Sequence, residues 1–147
     1  MKNKIIIPNV ILLTEVERML KEGMQVTILT KGASMLPFIH GGRDSVVLTG
    51  TFQPSKGDIV LAKTTKGDFV LHRIIKIIPA HIILMGDGNL RDTEICRTED
   101  VFGKVITILH NGKETDPYSR WNRVKSTCWS SMRPIRKYLL AIYRRLI

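Results

Sequence analysis

The chain has 147 residues, of which 44% are hydrophobic, and this composition fits one folded domain with a buried core. Its 23 basic and 13 acidic residues give a formal net charge of +10, which favours an anionic partner surface, either nucleic acid or acidic lipid. Two cysteines, Cys96 and Cys128, are too few for a disulfide framework or a four-cysteine metal site, and they favour a reducing compartment.

The N-terminal segment carries no pattern typical of a secretion signal. Residues 1–13 include Lys2 and Lys4 but no uninterrupted apolar core, and Pro8-Asn9 breaks the run. No stretch of about 18 apolar residues occurs in the chain, so no transmembrane helix is predicted. We therefore expect a cytoplasmic protein that can contact the inner membrane face peripherally.

The first predicted element is a helix that begins near Asn9, a residue type suited to an N-cap. Gly23 suits its C-terminal end. Apolar residues recur between these points at helical spacing, at Val10, Leu13, Val16 and Leu20. The pattern predicts a helix that packs against the domain.

From Met24 to His110, short apolar runs alternate with turn residues. The runs cover residues 26–29, 45–48, 59–62, 69–78, 81–85 and 101–109. Such spacing predicts a mainly β fold, an all-β sheet folded on itself. Lys66-Gly67-Asp68 is typical of a hairpin turn between two of these strands.

The C-terminal part, residues 111–147, predicts a loop followed by a basic amphipathic helix over 133–147. Residues 114–125 are polar, and Pro134 suits a helix N-terminus. Residues 120–147 contain eight Arg or Lys and no Asp or Glu. Such a helix can pack on the domain, lie on an anionic membrane or bind nucleic acid, and the sequence leaves these alternatives open. One helical face would collect Ile135, Tyr138, Leu139, Ile142 and Leu146.

A candidate nucleophile lies in the turn Gly32-Ala33-Ser34-Met35-Leu36-Pro37-Phe38. Gly32 permits backbone conformations that other residues resist, and Pro37 fixes its own φ angle. The turn can therefore hold the Ser34 hydroxyl pointing outward. Serine in such a turn is most often there for turn chemistry, and it becomes a nucleophile only with a base within hydrogen-bond reach.

Three further motifs follow in order: Gly57-Asp58-Ile59-Val60, the strand segment Leu71-His72-Arg73-Ile74, and Gly86-Asp87-Gly88-Asn89 with Asp92 shortly after. Together with the Ser34 turn they resemble the signal-peptidase-like serine protease superfamily. The similarity is greatest to the Ser-His branch of endoplasmic-reticulum and archaeal signal peptidases, because His72 stands where bacterial signal peptidases and SOS repressors have a lysine. The resemblance covers roughly residues 32–105.

The resemblance implies a coiled all-β catalytic domain, here residues 1–110 including the N-terminal packing helix. It implies Ser34 as the nucleophile and His72 as the general base. By the same resemblance Asp92 orients the base, and Asp87 is a supporting or alternative acid. Met35 and Pro37 would shape the substrate groove. No cofactor is implied, and His40, His81 and His110 show no metal-ligand spacing with the cysteines.

The expected function is a serine endopeptidase that removes a leader or signal segment from a peptide or protein substrate. The anionic membrane surface is a second expected partner, through residues 133–147. Two alternatives use the same fold without this chemistry: a catalytically idle peptide-binding module and a DNA-binding regulator. Nucleic acid is the less favoured partner, because no helix-turn-helix precedes the protease-like region and the repressor lysine is absent.

Overall fold

In a computed structural model, which describes residues 9–90 and 92–146, eight antiparallel strands form one sheet accompanied by three α-helices. The mainly β prediction is therefore confirmed. Residues 1–8, on which the absence of a secretion signal was argued, lie outside the described residues. The elements are α1 (Asn9–Lys21), β1 (Gln25–Leu29), β2 (Ser45–Thr49), β3 (Ile59–Lys63), β4 (Phe69–Ile78), β5 (His81–Met85), β6 (Glu94–Arg97), β7 (Val101–His110), β8 (Lys113–Thr115), α2 (Arg120–Ser131) and α3 (Arg136–Leu146).

The strands follow the order β1-β2-β7-β3-β4-β5-β6, and β8 pairs with β7. The predicted hairpin at Lys66-Gly67-Asp68 is confirmed, since β3 and β4 pair directly from Ile59↔Arg73 to Lys63↔Phe69. Three register shifts interrupt the ladders, between β2 and β7, between β3 and β7, and between β4 and β5. Such bulges bend the strands and increase their twist.

The central strand β3 is buried on both faces, and each face belongs to a separate core cluster. Ile59 and Leu61 pack in a first cluster that includes Leu20 of α1, while Val60 and Ala62 pack in a second. The amphipathic α1 thus covers the first face, as its apolar spacing predicted. A third, smaller cluster joins the Ser34 turn to α2 and α3, through Leu36, Trp129 and Leu140.

The C-terminal part is more ordered than the sequence pattern indicated. Residues 113–115 form β8 and residues 120–131 form α2, where a polar loop was expected over 114–125. The side chain of Ser119 caps α2 by accepting a hydrogen bond from the Asn122 N–H. A 3₁₀ turn (Arg133–Ile135) then leads into α3, which occupies most of the predicted helix. Elsewhere in the chain, the apolar runs of the sequence did not predict strand β6, which lies between the predicted runs 81–85 and 101–109.

No helix within the described ranges is long and apolar enough to cross a lipid bilayer.

The two cysteines should differ sharply in reactivity. Cys96 on β6 is fully buried, and this burial raises the pKa of its thiol to about 11, whereas Cys128 on α2 is exposed. Because the thiolate is the reactive form, we expect one thiol to react with Ellman's reagent at mildly alkaline pH in the folded protein. The second should react only after unfolding in guanidinium. Two thiols reacting at similar rates in the folded protein would contradict this placement.

Candidate active site

The Ser34 turn, residues 32–38, leaves β1 and is closed by local backbone hydrogen bonds. Leu36 N–H donates to Ala33 O over 3.2 Å, and Phe38 N–H donates to Met35 O over 3.0 Å. Gly32 has a φ angle of 77°, in the left-handed region that glycine favours. The turn therefore has a defined backbone, with Ser34 partly exposed.

A buried carboxylate fastens the chain just after this turn. Asp44 Oδ2 accepts the His40 N–H over 2.9 Å, and Asp44 Oδ1 lies 2.8 Å from His110 Nδ1. Burial would raise the pKa of Asp44, but the hydrogen bonds from His40, His110 and Arg43 outweigh it and hold that pKa below its ordinary value. These contacts give Asp44 a structural role. His40 is buried and is also bonded to Tyr143 of α3.

The loop that follows β5, residues 86–90, presses directly against the Ser34 turn. Gly88 N–H donates to Ser34 O over 2.7 Å. A Cβ placed on Gly86 would lie 2.3 Å from Ser34 O, and one on Gly88 would lie 2.4 Å from Ala33 O. Both positions therefore require glycine, because only a residue without a side chain lets the two backbones approach so closely.

His72 projects from the same sheet face as the carboxylate of Glu94. Across three strands, Ile74 of β4 lies opposite Leu84 of β5, which lies opposite Glu94 of β6. His72 is two residues before Ile74 and so shares its face. Its Nδ1 lies 2.8 Å from Glu94 Oε2, and its side chain is only 7% exposed. Glu94 is thus the carboxylate that fixes the His72 ring.

Glu94 is neither of the two carboxylates that the sequence analysis assigned to the site, Asp92 and Asp87. Asp87 is occupied by Arg73, which donates from Nε to Oδ1 over 2.9 Å and from Nη2 to Oδ2 over 2.7 Å. A third Arg73 donor, Nη1, bonds Gly57 O over 2.9 Å. The fork-like pair is buried and ties the 86–90 loop to β4, so Asp87 has a supporting role.

Asp92 is exposed, and no hydrogen bond within the described ranges joins it to His72. It lines a surface cleft of about 580 Å³ between the 86–90 loop and the start of α3. The cleft also includes Gly88, Asn89, Leu90, Pro134, Lys137 and Tyr138. The structure therefore places Asp92 beside an open cleft, and the carboxylate that it bonds to His72 is that of Glu94.

Of the two residues expected to shape the substrate groove, one is buried and one lines a cleft. Met35 is 4% exposed within the first core cluster, and its Sδ accepts the Asp87 N–H over 3.4 Å. Met35 therefore supports the turn from inside. Pro37, which follows a cis peptide bond, lines a smaller cleft of about 200 Å³ together with Phe38, Ile59 and Arg73.

The C-terminal helices hold the 86–90 loop from its outer side. Trp129 of α2 donates its indole N–H to Asp87 O over 2.6 Å, and Arg136 donates to Asn89 O over 3.0 Å. Arg136 is buried and also bonds Trp129 O. These contacts make the last part of the chain a component of the site, which no local sequence signal indicated.

Two groups at the site make no hydrogen bond within the part of the chain that the structure describes. Within residues 9–90 and 92–146, no hydrogen bond uses the Ser34 N–H or the His72 Nε2, and none joins Ser34 to His72. Catalytic hydrogen bonds in empty sites commonly form only when substrate binds. Among the same residues, no group of three His, Cys, Asp or Glu side chains is placed to hold a metal ion.

Comparison with known proteins adds no assignment, since no protein-family model matches the chain and no curated protein matches it.

The pairing of Asp87 predicts a specific effect on stability. Asp87→Asn should lower the free energy of unfolding by about 3 kcal/mol, because it leaves the Arg73 charge buried without its counter-charge. The matched change Asp92→Asn removes an exposed carboxylate and should alter that free energy by no more than about 0.5 kcal/mol. Guanidinium denaturation of both variants measures the difference. Similar losses for the two would show that the Arg73–Asp87 pair is not what stabilises the loop.

Proposed function

We propose that the protein is a serine endopeptidase of the signal-peptidase-like type, which removes a leader or signal segment from a peptide or protein. The observation that carries the proposal is the buried His72–Glu94 pair on the sheet face beside the Ser34 turn. The β4–β5 register sets Arg73 opposite Met85, and its continuation by one residue would set Gly86 beside His72. Since Ser34 O packs against Gly86, the nucleophile turn and the base share one neighbourhood.

Features of the sheet support the coiled fold that this family has. The bulges bend the ladders, and Thr65 N–H, in the turn after β3, donates to Ile95 O of β6 over 2.9 Å. One end of the β3–β4 hairpin thereby reaches the outer edge of β6. A sheet bent in this way folds back on itself, as the family's coiled sheet does.

The chemistry follows from the orientation of the His72 ring. With its Nδ1–H donated to Glu94, His72 keeps the lone pair of Nε2 for the Ser34 proton. Ser34 Oγ attacks the peptide carbonyl carbon, and the Ser34 N–H can donate to the developing oxyanion. His72 then gives the proton to the leaving amine, which departs and leaves an acyl-enzyme. Water, deprotonated by His72, attacks the ester carbonyl; the bond to Ser34 Oγ breaks, the acid product leaves, and His72 returns the proton to Ser34 Oγ.

Strand β1 offers a place for an extended peptide. Among the described strands it pairs only with β2, so its other edge is open. The Thr30 N–H donates to Asp44 O and the Thr30 C=O accepts from the Gly42 N–H, so both backbone groups of Thr30 face the side of β2. Successive residues of a strand turn these groups to opposite edges, so the backbone N–H and C=O of Thr27 and Leu29 face the outer edge of β1. A peptide can add there as a further strand, and the chain from β1 leads directly to Ser34.

The proposal is tested by incubating the purified protein with a complex peptide library and detecting new termini by mass spectrometry. The wild type should generate new termini with a common sequence around the cut, and Ser34→Ala and His72→Ala should generate none. The same sites cut by Ser34→Ala would identify a contaminating protease or another nucleophile. A folded wild type that cuts nothing in the library, or in presented leader peptides, would favour the idle binding module.

The proposal predicts different effects on the reaction for the candidate acids. Glu94→Gln should lower kcat/KM by about a hundredfold or more, because His72 loses the carboxylate that orients its ring and stabilises its charged form. Asp92→Asn is the matched control and should stay within a few-fold of the wild type. Rates on one peptide from the library, with folding checked by circular dichroism, provide the comparison. The opposite ranking would restore Asp92 as the orienting acid.

A further inference from the structure

The outward face of α3 carries a row of exposed apolar side chains. Tyr138, Ile142 and Leu146 lie at intervals of four residues along one side of α3, and Ile135, in the 3₁₀ turn that leads into it, precedes them by three residues. Their exposed fractions run from 49% to 79%. We call this row the α3 stripe.

The opposite face of α3 is already packed, so the α3 stripe is not needed to fold the helix onto the domain. Leu140 is buried with Leu36 and Trp129, and Leu139 and Tyr143 pack against the same cluster. Tyr143 is also bonded to His40. The helix therefore satisfies its inner face within the chain and leaves the α3 stripe uncovered.

Helix α2 also exposes apolar side chains. Trp121 is 67% exposed, and Val124, one turn further along, is also exposed. The ammonium group of Lys125 lies over the Trp121 ring at 5.6 Å from its centroid. Exposed Trp and Tyr beside cationic side chains are typical of surfaces that lie at the boundary between lipid headgroups and acyl chains.

The charge on α2 and α3 themselves has one sign, although Asp92, from outside these helices, lines the cleft beside Lys137 and Tyr138. Residues 120–147 contain no Asp or Glu. Six cationic side chains of α2 and α3 are exposed: Arg120, Arg123, Lys125, Lys137, Arg144 and Arg145. The surface therefore complements an anionic one, and the exposed apolar side chains need an environment that also accepts hydrocarbon.

We propose that the α3 stripe docks on an anionic phospholipid bilayer and enters its headgroup region, where exposed arginines and lysines of the C-terminal helices contact lipid phosphates. A bilayer is the partner that satisfies both features, since nucleic acid would use the cations and leave the apolar side chains in water. A second copy is disfavoured, because two surfaces of the same positive charge repel each other. This docking does not depend on the proposed protease activity.

The test is co-sedimentation of the full chain with phosphatidylcholine vesicles, with and without phosphatidylglycerol. Binding should require phosphatidylglycerol and weaken as salt is raised above about 0.15 M. Ile142→Ser and Leu146→Ser should each weaken it by about tenfold, because they remove apolar surface from the headgroup region. Arg144→Gln and Arg145→Gln should each weaken it by about fivefold.

Matched controls come from exposed residues elsewhere on the protein. Leu29→Ser and Ile77→Ser change exposed apolar residues on β1 and β4, and Lys56→Gln and Lys66→Gln change exposed lysines in turns. These should bind vesicles as the wild type does, and so should Ser34→Ala. Absence of binding, indifference to phosphatidylglycerol, or equal losses in the controls would overturn the proposal. Tighter binding to duplex DNA than to vesicles, lost in Arg144→Gln but not in Ile142→Ser, would overturn it in favour of nucleic acid.

Discussion

The close backbone contact between the Ser34 turn and the 86–90 loop is the constraint on which the site depends. Gly86 and Gly88 let Ala33 O and Ser34 O approach distances that a Cβ would forbid, and Gly88 N–H completes the contact. The contact joins a turn that follows β1, at one end of the sheet order, to a loop that follows β5, the last strand but one at the other end. Bulges bend a sheet and so help to bring such distant strands towards each other, and the glycines then let the two backbones touch.

Buried polar groups then fix the loop in that position. The Arg73 guanidinium donates hydrogen bonds to Asp87 and to Gly57 O. Burial lowers the pKa of Arg73, but the hydrogen bonds and the charge of Asp87 raise it more, so this pKa lies above its ordinary value. A pair of this kind stabilises one arrangement more than it stabilises the fold as a whole, because both charges lost water to form it. Because Asp87 is paired with Arg73, the acid that orients His72 in the proposed enzyme is Glu94, whose side chain is more exposed than that of Asp87.

The regular elements could be predicted because their patterns are local. The apolar periodicity of α1, the long run of β4 and the Lys66-Gly67-Asp68 turn each follow from neighbouring residues. The His72–Glu94 pair could not be found in this way, because β6 is a four-residue strand without alternating apolar residues, and its register through β5 decides what Glu94 meets. The role of Trp129 is set by α2, a helix that the polar composition of its N-terminal half concealed. Arg136 begins α3, which was predicted, but no local pattern indicated that its side chain bonds Asn89 O.

The two faces of the C-terminal helices connect the site to the surface of the molecule. Arg136 holds Asn89 O from inside, while Tyr138, two residues further on, belongs to the α3 stripe and lines the cleft beside Asp92. A bilayer that covers the α3 stripe would therefore lie next to that cleft. It would also restrain the helix that holds the 86–90 loop, and through Gly88 the Ser34 turn itself. In the proposed enzyme, a leader peptide that partitions into the same headgroup region would then approach the Ser34 turn from the membrane side, with the turn restrained by docking.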